Sequence, residues 1–242
     1  MSELRVLIAA GGKGSRAGLP YPKTLYPVQG KPILVRIHEL LAHLDPSPTV
    51  VVSPSGKAEV AACLAVHGLP AHLVIQAEPH GMGDAVLQFR SSPAYERASD
   101  VLLIWGDIPF AQSQTVAAVV DTHRVAGNDF TFATRRVDSA YTIVTRDEAG
   151  RLLRVTETRE TGATASQAGE RDIGLFLFRK VPVFELLQQD LPGKLGKTTG
   201  DHGFLYVIEH LVACGFQVQG LPVATELDLV SLNAMKDIKA FL

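Results

Sequence analysis

Short apolar runs alternate with segments of helical period through the first half of the chain, and no other feature limits the fold as strongly. "LRVLIAA" (4–10), "TVVVS" (49–53), "AHLVIQ" (71–76) and "DVLLIWGD" (100–107) read as strands. "PILVRIHELLAHL" (32–44), "KAEVAACLAVHG" (57–68), "GDAVLQF" (83–89) and "SQTVAAVVDTHRVAG" (113–127) read as the helices that follow them. Pro32 suits a first helical turn, and Gly68 and Gly127 stop two of the helices. Buried strands that each lead into a helix predict a mainly parallel sheet with helices on both faces. The expected class is α/β, a Rossmann-like three-layer α/β/α fold around a mixed, mainly parallel central sheet.

The rhythm changes after residue 128. "DFTFATRRV", "AYTIVTRD" and "RLLRVTET" read as consecutive strands, with a turn at Asp147-Glu148-Ala149-Gly150. "DIGLFLFR" is a further strand, "GFLYVIEHLVACG" a helix, "FQVQGLPV" a late strand and "NAMKDIKAFL" a C-terminal helix. The polar stretch "TRETGATASQAGER" (158–171) reads as a mobile loop within one domain.

A chain of 242 residues can bury one substantial core, and a formal net charge of −2 with no Lys/Arg tract gives no footprint for nucleic acid. The apolar run near the start is too short for a signal-peptide core or a membrane span. Cys63 and Cys214 fit no metal or redox spacing and are expected to be buried, inert thiols. A cytoplasmic protein without membrane or nucleic-acid partners follows as the expectation.

The run "IAAGGKGSRAG" leaves the first strand through a glycine-rich turn. In open α/β sheets ligands sit beyond the C-terminal ends of the strands, so this turn and Asp107 are expected to face one cleft. Gly12-Lys13-Gly14-Ser15-Arg16-Ala17 formally matches G-x-G-x-x-A, but no acid ends the next strand to bind a ribose. "KLGKTTG" has Leu191 where a P-loop needs its first glycine, and "QGKP" has proline in place of the metal-binding Ser or Thr. Neither dinucleotide nor P-loop chemistry is supported.

Three linked pieces carry a more specific likeness: Ala10-Gly11-Gly12-Lys13-Gly14-Ser15-Arg16, then Pro22-Lys23, then Gly30-Lys31-Pro32-Ile33. Further along stand "IQAEPHGMGDAV", "VLLIWGDIPF", "DIGLFLF" and "LVSLNAMKDI". This series resembles the sugar-phosphate nucleotidyltransferases, and most closely the uridylyltransferase domain of the bacterial N-acetylglucosamine-1-phosphate enzymes. The resemblance implies a GT-A-like nucleotidyltransferase fold and a single domain over 1–242, with a nucleotide-binding half (1–127) and an acceptor-binding half (128–242). It implies a reaction in which a phosphomonoester attacks the α-phosphorus of a nucleoside triphosphate and pyrophosphate leaves.

Such a nucleophile is already ionised, so the task is to bring two polyanions together and stabilise the leaving group. By resemblance, Arg16 and Lys23 are the catalytic cations, and Asp107 and Asn233 hold Mg2+, with Asp228 in reserve. Ala10, Gly11, Gly12, Gly14 and Ser15 line the triphosphate, where backbone N–H groups close on it. Gln76, Gly81 and Met82 meet the base, which favours uracil or thymine. Tyr141, Glu157 and Asp172 correspond to the acceptor ligands. Tyr141 replaces a glycine and Asp172 an asparagine, so N-acetylglucosamine does not transfer as the acceptor. His80 and His202 are left as surface or packing residues and Trp105 as core. The expected partners are a nucleoside triphosphate and a phosphorylated small molecule, with homo-oligomerisation open. Two other readings stay open: cytidylyl transfer to a phospho-alcohol, and a non-catalytic nucleotide-binding module on the same fold.

Overall fold

The computed structural model describes residues 3–12, 14, 17–160, 167–233 and 238. Its strands are β1 (Leu4–Ala9), β2 (Pro27–Val28), β3 (Lys31–Pro32), β4 (Thr49–Val52), β5 (His72–Ile75), β6 (Asp100–Trp105), β7 (Phe130–Ala140), β8 (Thr142–Arg146), β9 (Leu152–Glu157), β10 (Gln167–Arg179) and β11 (Val218–Leu221). The helices are α1 (Ile33–Leu41), α2 (Lys57–Val66), α3 (Met82–Leu87), α4 (Ser113–Ala126), α5 (Lys180–Gln188) and α6 (Tyr206–Ala213). The expected C-terminal helix falls almost wholly outside the described residues.

Seven strands form one sheet in the order β11-β7-β10-β6-β1-β4-β5. β10 runs antiparallel to both its neighbours, and the other pairings are parallel. Two small hairpins, β2–β3 and β8–β9, stand beside this sheet. The mixed, mainly parallel sheet is as the alternation predicts.

Alternate residues of each central strand enter different cores. Val6 and Ile8 of β1, with Leu102 and Ile104 of β6, pack under α1, α2 and α4. Leu7, Val101 and Leu103 pack on the opposite face with α3, α5 and α6. Because both faces are covered, these strands carry continuous apolar runs, and three layers result.

Three features depart from the expectation. α5 was not anticipated: Pro182 looks like a breaker, yet it stands in the first turn, where the missing N–H has no intrahelical partner to lose. The loop predicted over 158–171 is partly strand, since Gln167–Arg171 belong to β10 and pair with β7. Neither thiol is buried as expected: Cys63 is half-exposed and Cys214 exposed, because the latter caps α6 on its solvent side.

Asp228 is buried, and its carboxylate is fully engaged. Oδ1 accepts from the Gln112 N–H at 2.7 Å, and Oδ2 accepts from the Thr115 hydroxyl at 2.9 Å and the Thr225 N–H at 2.7 Å. It therefore caps α4 and ties the 225–229 turn to it, which leaves no free oxygen for the reserve metal role. Asp228→Ala is expected to cost about 2–4 kcal/mol, because several buried donors lose their acceptor together. A lowered urea midpoint with an unchanged slope measures this.

Candidate active site

The parallel strands β5, β4, β1 and β6 end on the same edge, and their last residues lead directly into Gln76, Ser53, Ala10-Gly11 and Gly106-Asp107. Gln76 and Asp107 thus stand three strand spacings apart, roughly 14 Å. This is the cleft expected at the C-terminal ends of an open α/β sheet.

The glycine turn folds back over this edge. Ala10 N–H donates to Val51 O at 2.8 Å, and Lys23 N–H donates to Gly12 O at 3.3 Å. A Cβ at Gly12 would lie 2.7 Å from Lys23 Cε, so the lysine crosses the turn in this pose over a bare glycine and would have to shift its side chain past any larger residue. Among the described residues, the N–H groups of Gly11, Gly12 and Gly14 find no acceptor, which leaves donors for an anion. Ser15 and Arg16 lie outside the described residues.

Lys23 reaches across to form an ion pair with Asp107 Oδ2. Asp107 is 7% exposed, and its other oxygen, Oδ1, is buried without a hydrogen-bond partner among the described residues. A buried carboxylate oxygen without a donor is costly unless a cation completes it. Among the described residues no group of three or more His, Cys, Asp or Glu forms a metal cage. One available carboxylate oxygen nevertheless fits a hard ion that takes most of its shell from water and phosphate. The Leu232 N–H donates to Asp107 O at 2.9 Å, which brings the adjoining Asn233 to the same corner. The Asn233 amide N–H donates to Ser231 Oγ at 2.9 Å, leaving its carbonyl oxygen free of that bond.

Tyr141, between β7 and β8, closes the far side. Tyr141 is 36% exposed overall, yet desolvation by its neighbours pushes its phenol up to about 12, with Arg171, Asp172, Asp107 and Ser231 all close enough to act on it. The Arg171 guanidinium lies 3.7 Å from the Tyr141 ring centroid and bonds the hydroxyl. Asp172 is wholly buried: Oδ1 accepts from the Thr142 hydroxyl at 2.6 Å and Oδ2 from the Gly174 N–H at 2.9 Å. Both oxygens are thus bonded within the protein, one of them to Thr142, the residue that follows Tyr141. Beside it, β10 bulges between Asp172 and Phe176. A Cβ at Gly174 would meet the Trp105 ring at 2.6 Å, so the half-buried indole occupies the core-facing side of that bulge.

Two cavities open along the cleft. The smaller, about 180 Å³, is lined by Gly11, Ser53, Pro54, Ser55, Gln76, Ala77 and Pro79. The larger, about 390 Å³, includes Gly81, Met82, Glu157, Arg159, Lys197 and His202 in its wall. Burial raises the Glu157 carboxyl above its ordinary value, against the opposing pull of Arg159, whose Nε donates to it at 2.6 Å. Glu160 pins the far wall, accepting from the Thr198 N–H at 2.8 Å and the Thr199 hydroxyl at 2.9 Å. His202, set aside in the sequence, is buried in this wall, and burial holds its imidazole below the usual value. His80 is exposed and paired with Glu78. Arg171, Arg159 and Ser231 carried no motif and were missed; only the charged run Glu170-Arg171-Asp172 before an apolar strand hinted at Arg171.

A family model described as MobA-like NTP transferase domain matches residues 6–210. The chain belongs to that family. This NTP transferase is 26% identical over 96% of its length to bifunctional protein GlmU of Burkholderia lata, and 28% identical over 98% to that of Pelotomaculum thermopropionicum. It spans about half the length of these curated relatives, 49% and 50%. A putative glucose-1-phosphate thymidylyltransferase from Bacillus anthracis shares its fold with a TM-score of 0.78 at 14% identity, covering 98% of this chain and 93% of that one. The inositol-1-phosphate CTP transferase from T. maritima aligns with a TM-score of 0.67 at 17% identity, covering 91% and 85%. The resemblance drawn from the linked motifs and the nucleotidyltransferase fold are both borne out. Among the described residues no helix is long and apolar enough to cross a membrane.

Asp172 gives a pH test. Burial holds its carboxyl above the ordinary carboxylate value, so the native state retains the proton more tightly than the unfolded chain. Its contribution to stability therefore declines as pH rises from about 4 through the raised native value. Asp172→Asn keeps both hydrogen bonds possible without the charge. Its urea midpoint is expected to exceed that of the parent at pH 7.5, with the difference shrinking towards pH 4.

Proposed function

We propose that this NTP transferase joins a nucleoside triphosphate to a phosphorylated small molecule, releasing pyrophosphate. The observation that carries this is the Lys23–Asp107 pair at the mouth of the glycine turn, with the second Asp107 oxygen buried and unpartnered. A cation and a half-satisfied carboxylate, beside backbone donors that have no acceptor among the described residues, suit a polyanion and its counter-ion better than they suit a packed interior.

In the proposed reaction an acceptor phosphate oxygen forms a bond to the α-phosphorus. The bond from that phosphorus to the bridging oxygen breaks, and its electron pair leaves with pyrophosphate. No general base is required. The Gly11, Gly12 and Gly14 N–H groups receive phosphate oxygens, and Lys23 leaves Asp107 to neutralise charge between the two substrates. Arg16 is assigned to the β- and γ-phosphates and Ser15 to the same turn, on the motif alone. Asp107 and the Asn233 carbonyl oxygen would hold Mg2+, which supplies charge neutralisation on the phosphates when bound. Ala10 bounds the turn, Gln76 faces the base, and Gly81 and Met82, in the wall of the larger cavity, follow it through the bond from Gln76 to Gly81 O. Tyr141 and Glu157 line the acceptor side, while Asp172 supports it.

The acceptor is proposed to be a sugar 1-phosphate or a similar phosphomonoester. Tyr141 stands near Asp107 with its phenol backed by Arg171, and it is assigned to the acceptor side on the motif. A non-catalytic module would not need Lys23 and Asp107 aimed at one point.

Pyrophosphate release is the assay, with Mg2+ and a matrix of four nucleoside triphosphates against sugar 1-phosphates, glycerol phosphate and phosphocholine. Lys23→Ala and Asp107→Asn are each expected to lower kcat/KM by about 100-fold or more at unchanged circular dichroism, and EDTA should abolish turnover. Undiminished activity in both variants removes the pair from the mechanism. Nucleotide binding without turnover across the matrix favours the module.

A further inference from the structure

Gln76 is 8% exposed, and its amide is committed on one side. Nε2 donates to Gly81 O at 3.0 Å and to Asp84 Oδ2 at 2.7 Å. A backbone carbonyl oxygen only accepts, so the amide nitrogen, and not the oxygen, must face Gly81 O and with it Asp84. Both N–H groups are then used within the protein. The amide oxygen is left on the opposite side, where a Cβ at Gly11 would lie 3.2 Å from it. Gly11 and Gln76 together wall the 180 Å³ cavity. Asp84 is itself held, its Oδ1 accepting from Gln88 Nε2 at 3.2 Å.

We propose that Asp84 is a positioning residue that sets base choice by fixing Gln76 as a pure acceptor towards the smaller cavity. The inference rests on the proposed nucleotidyl transfer, with the base in that cavity. The base is placed with its ring nitrogen against the Gln76 oxygen, where an acceptor pairs with the N–H of uracil, thymine or guanine. Cytosine and adenine present a lone pair at that position, and they meet the oxygen only by shifting their exocyclic amino group onto it, which leaves the ring nitrogen without a donor. A site whose buried polar group is left unpaired by the wrong ligand discriminates strongly. Asp84 touches no substrate in this scheme; it acts through the orientation of Gln76.

The test is equilibrium binding of UTP, GTP, CTP and ATP by calorimetry, with Ca2+ in place of Mg2+ to suppress turnover. The parent protein is expected to bind UTP or GTP about tenfold or more tightly than CTP and ATP. In Asp84→Asn the new amide can donate to the Gln76 oxygen, which lets Gln76 turn its N–H groups to the cavity. The ratio of UTP to CTP affinity is then expected to fall about tenfold, to parity or below. Gln88→Ala, which leaves the Gln76–Asp84 bond in place, should keep the parent's ratio. Should Asp84→Asn fold poorly, Asp84→Ala serves, with the preference narrowed because Gln76 is free to turn. A loss of stability alone would weaken all four nucleotides together and leave the ratio untouched, and that result overturns the proposal. Equal binding of all four by the parent also overturns it while leaving nucleotidyl transfer standing. Binding of none overturns both.

Discussion

The ion pair between Lys23 and Asp107 depends on an arrangement that neither residue creates. β1 and β6 are adjacent and parallel, so the turn after one and the aspartate after the other emerge side by side. Gly106 sits where a Cβ would be 2.8 Å from Ala9 O, so the two strand ends can close to backbone contact. Lys23 then needs only to cross a bare Gly12 to reach Asp107. A partly buried pair loses much of its Coulombic gain to desolvation, and the pair leaves one carboxylate oxygen unsatisfied. As a device for stability it is poor. As a charge arrangement held ready for a polyanion and a cation it is coherent, because both partners improve their surroundings when those arrive.

The elements legible in the sequence are those whose stability comes from burial on a regular period. β1, β4 and β6 announced themselves because both their faces enter a core. The N-terminal part of β10 did not, because Gln167–Arg171 are held by the ladder with β7 and by polar contacts. Glu170 there accepts from the Thr134 hydroxyl at 2.5 Å and from Arg146 at 2.7 and 2.8 Å. Such a strand has no hydrophobic alternation to show. α5 escaped for the converse reason, its proline being harmless only at the one turn where it stands. Cys214 was misplaced because an apolar neighbourhood in sequence does not say which side of a helix end faces water.

The candidate site was legible where function needs backbone shape and obscure where it needs support. The glycine turn, Lys23, Gln76 and Asp107 all stand in motifs whose spacing expresses the ends of parallel strands. Arg171, Ser231 and His202 act through contacts between segments distant in sequence, and only the charged run around Arg171 marks any of them; Asp84 stands within the Gln76 motif, yet the motif does not show that its carboxylate holds the Gln76 amide. Asp172 illustrates the gap: its position in the motif was found, but only the fold shows the Thr142 hydroxyl and Gly174 N–H consuming its oxygens. Asp228 is similar, an acid that sequence context allows as a ligand and that packing commits to capping a helix.

The segment from Gln76 to Asp84 joins the two cavities mechanically. The bond from Gln76 Nε2 to Gly81 O lies between them, so a shift of the Gln76 amide is felt at Gly81. Gly81 in turn precedes α3, whose Gly83 N–H donates to His202 O at 2.9 Å, while the His202 N–H donates to His80 O at 2.6 Å. His202 is buried in the wall of the larger cavity, a few residues from the loop that Glu160 secures. A base seated against Gln76 therefore bears on the same hydrogen-bond chain that shapes the pocket containing Glu157. Two sites built on separate elements could fill independently. Here one short stretch, from Gln76 to Met82, supplies a wall to each cavity, and the Gln76 amide and the main chain of Gly81, Gly83 and His202 are hydrogen-bonded along it.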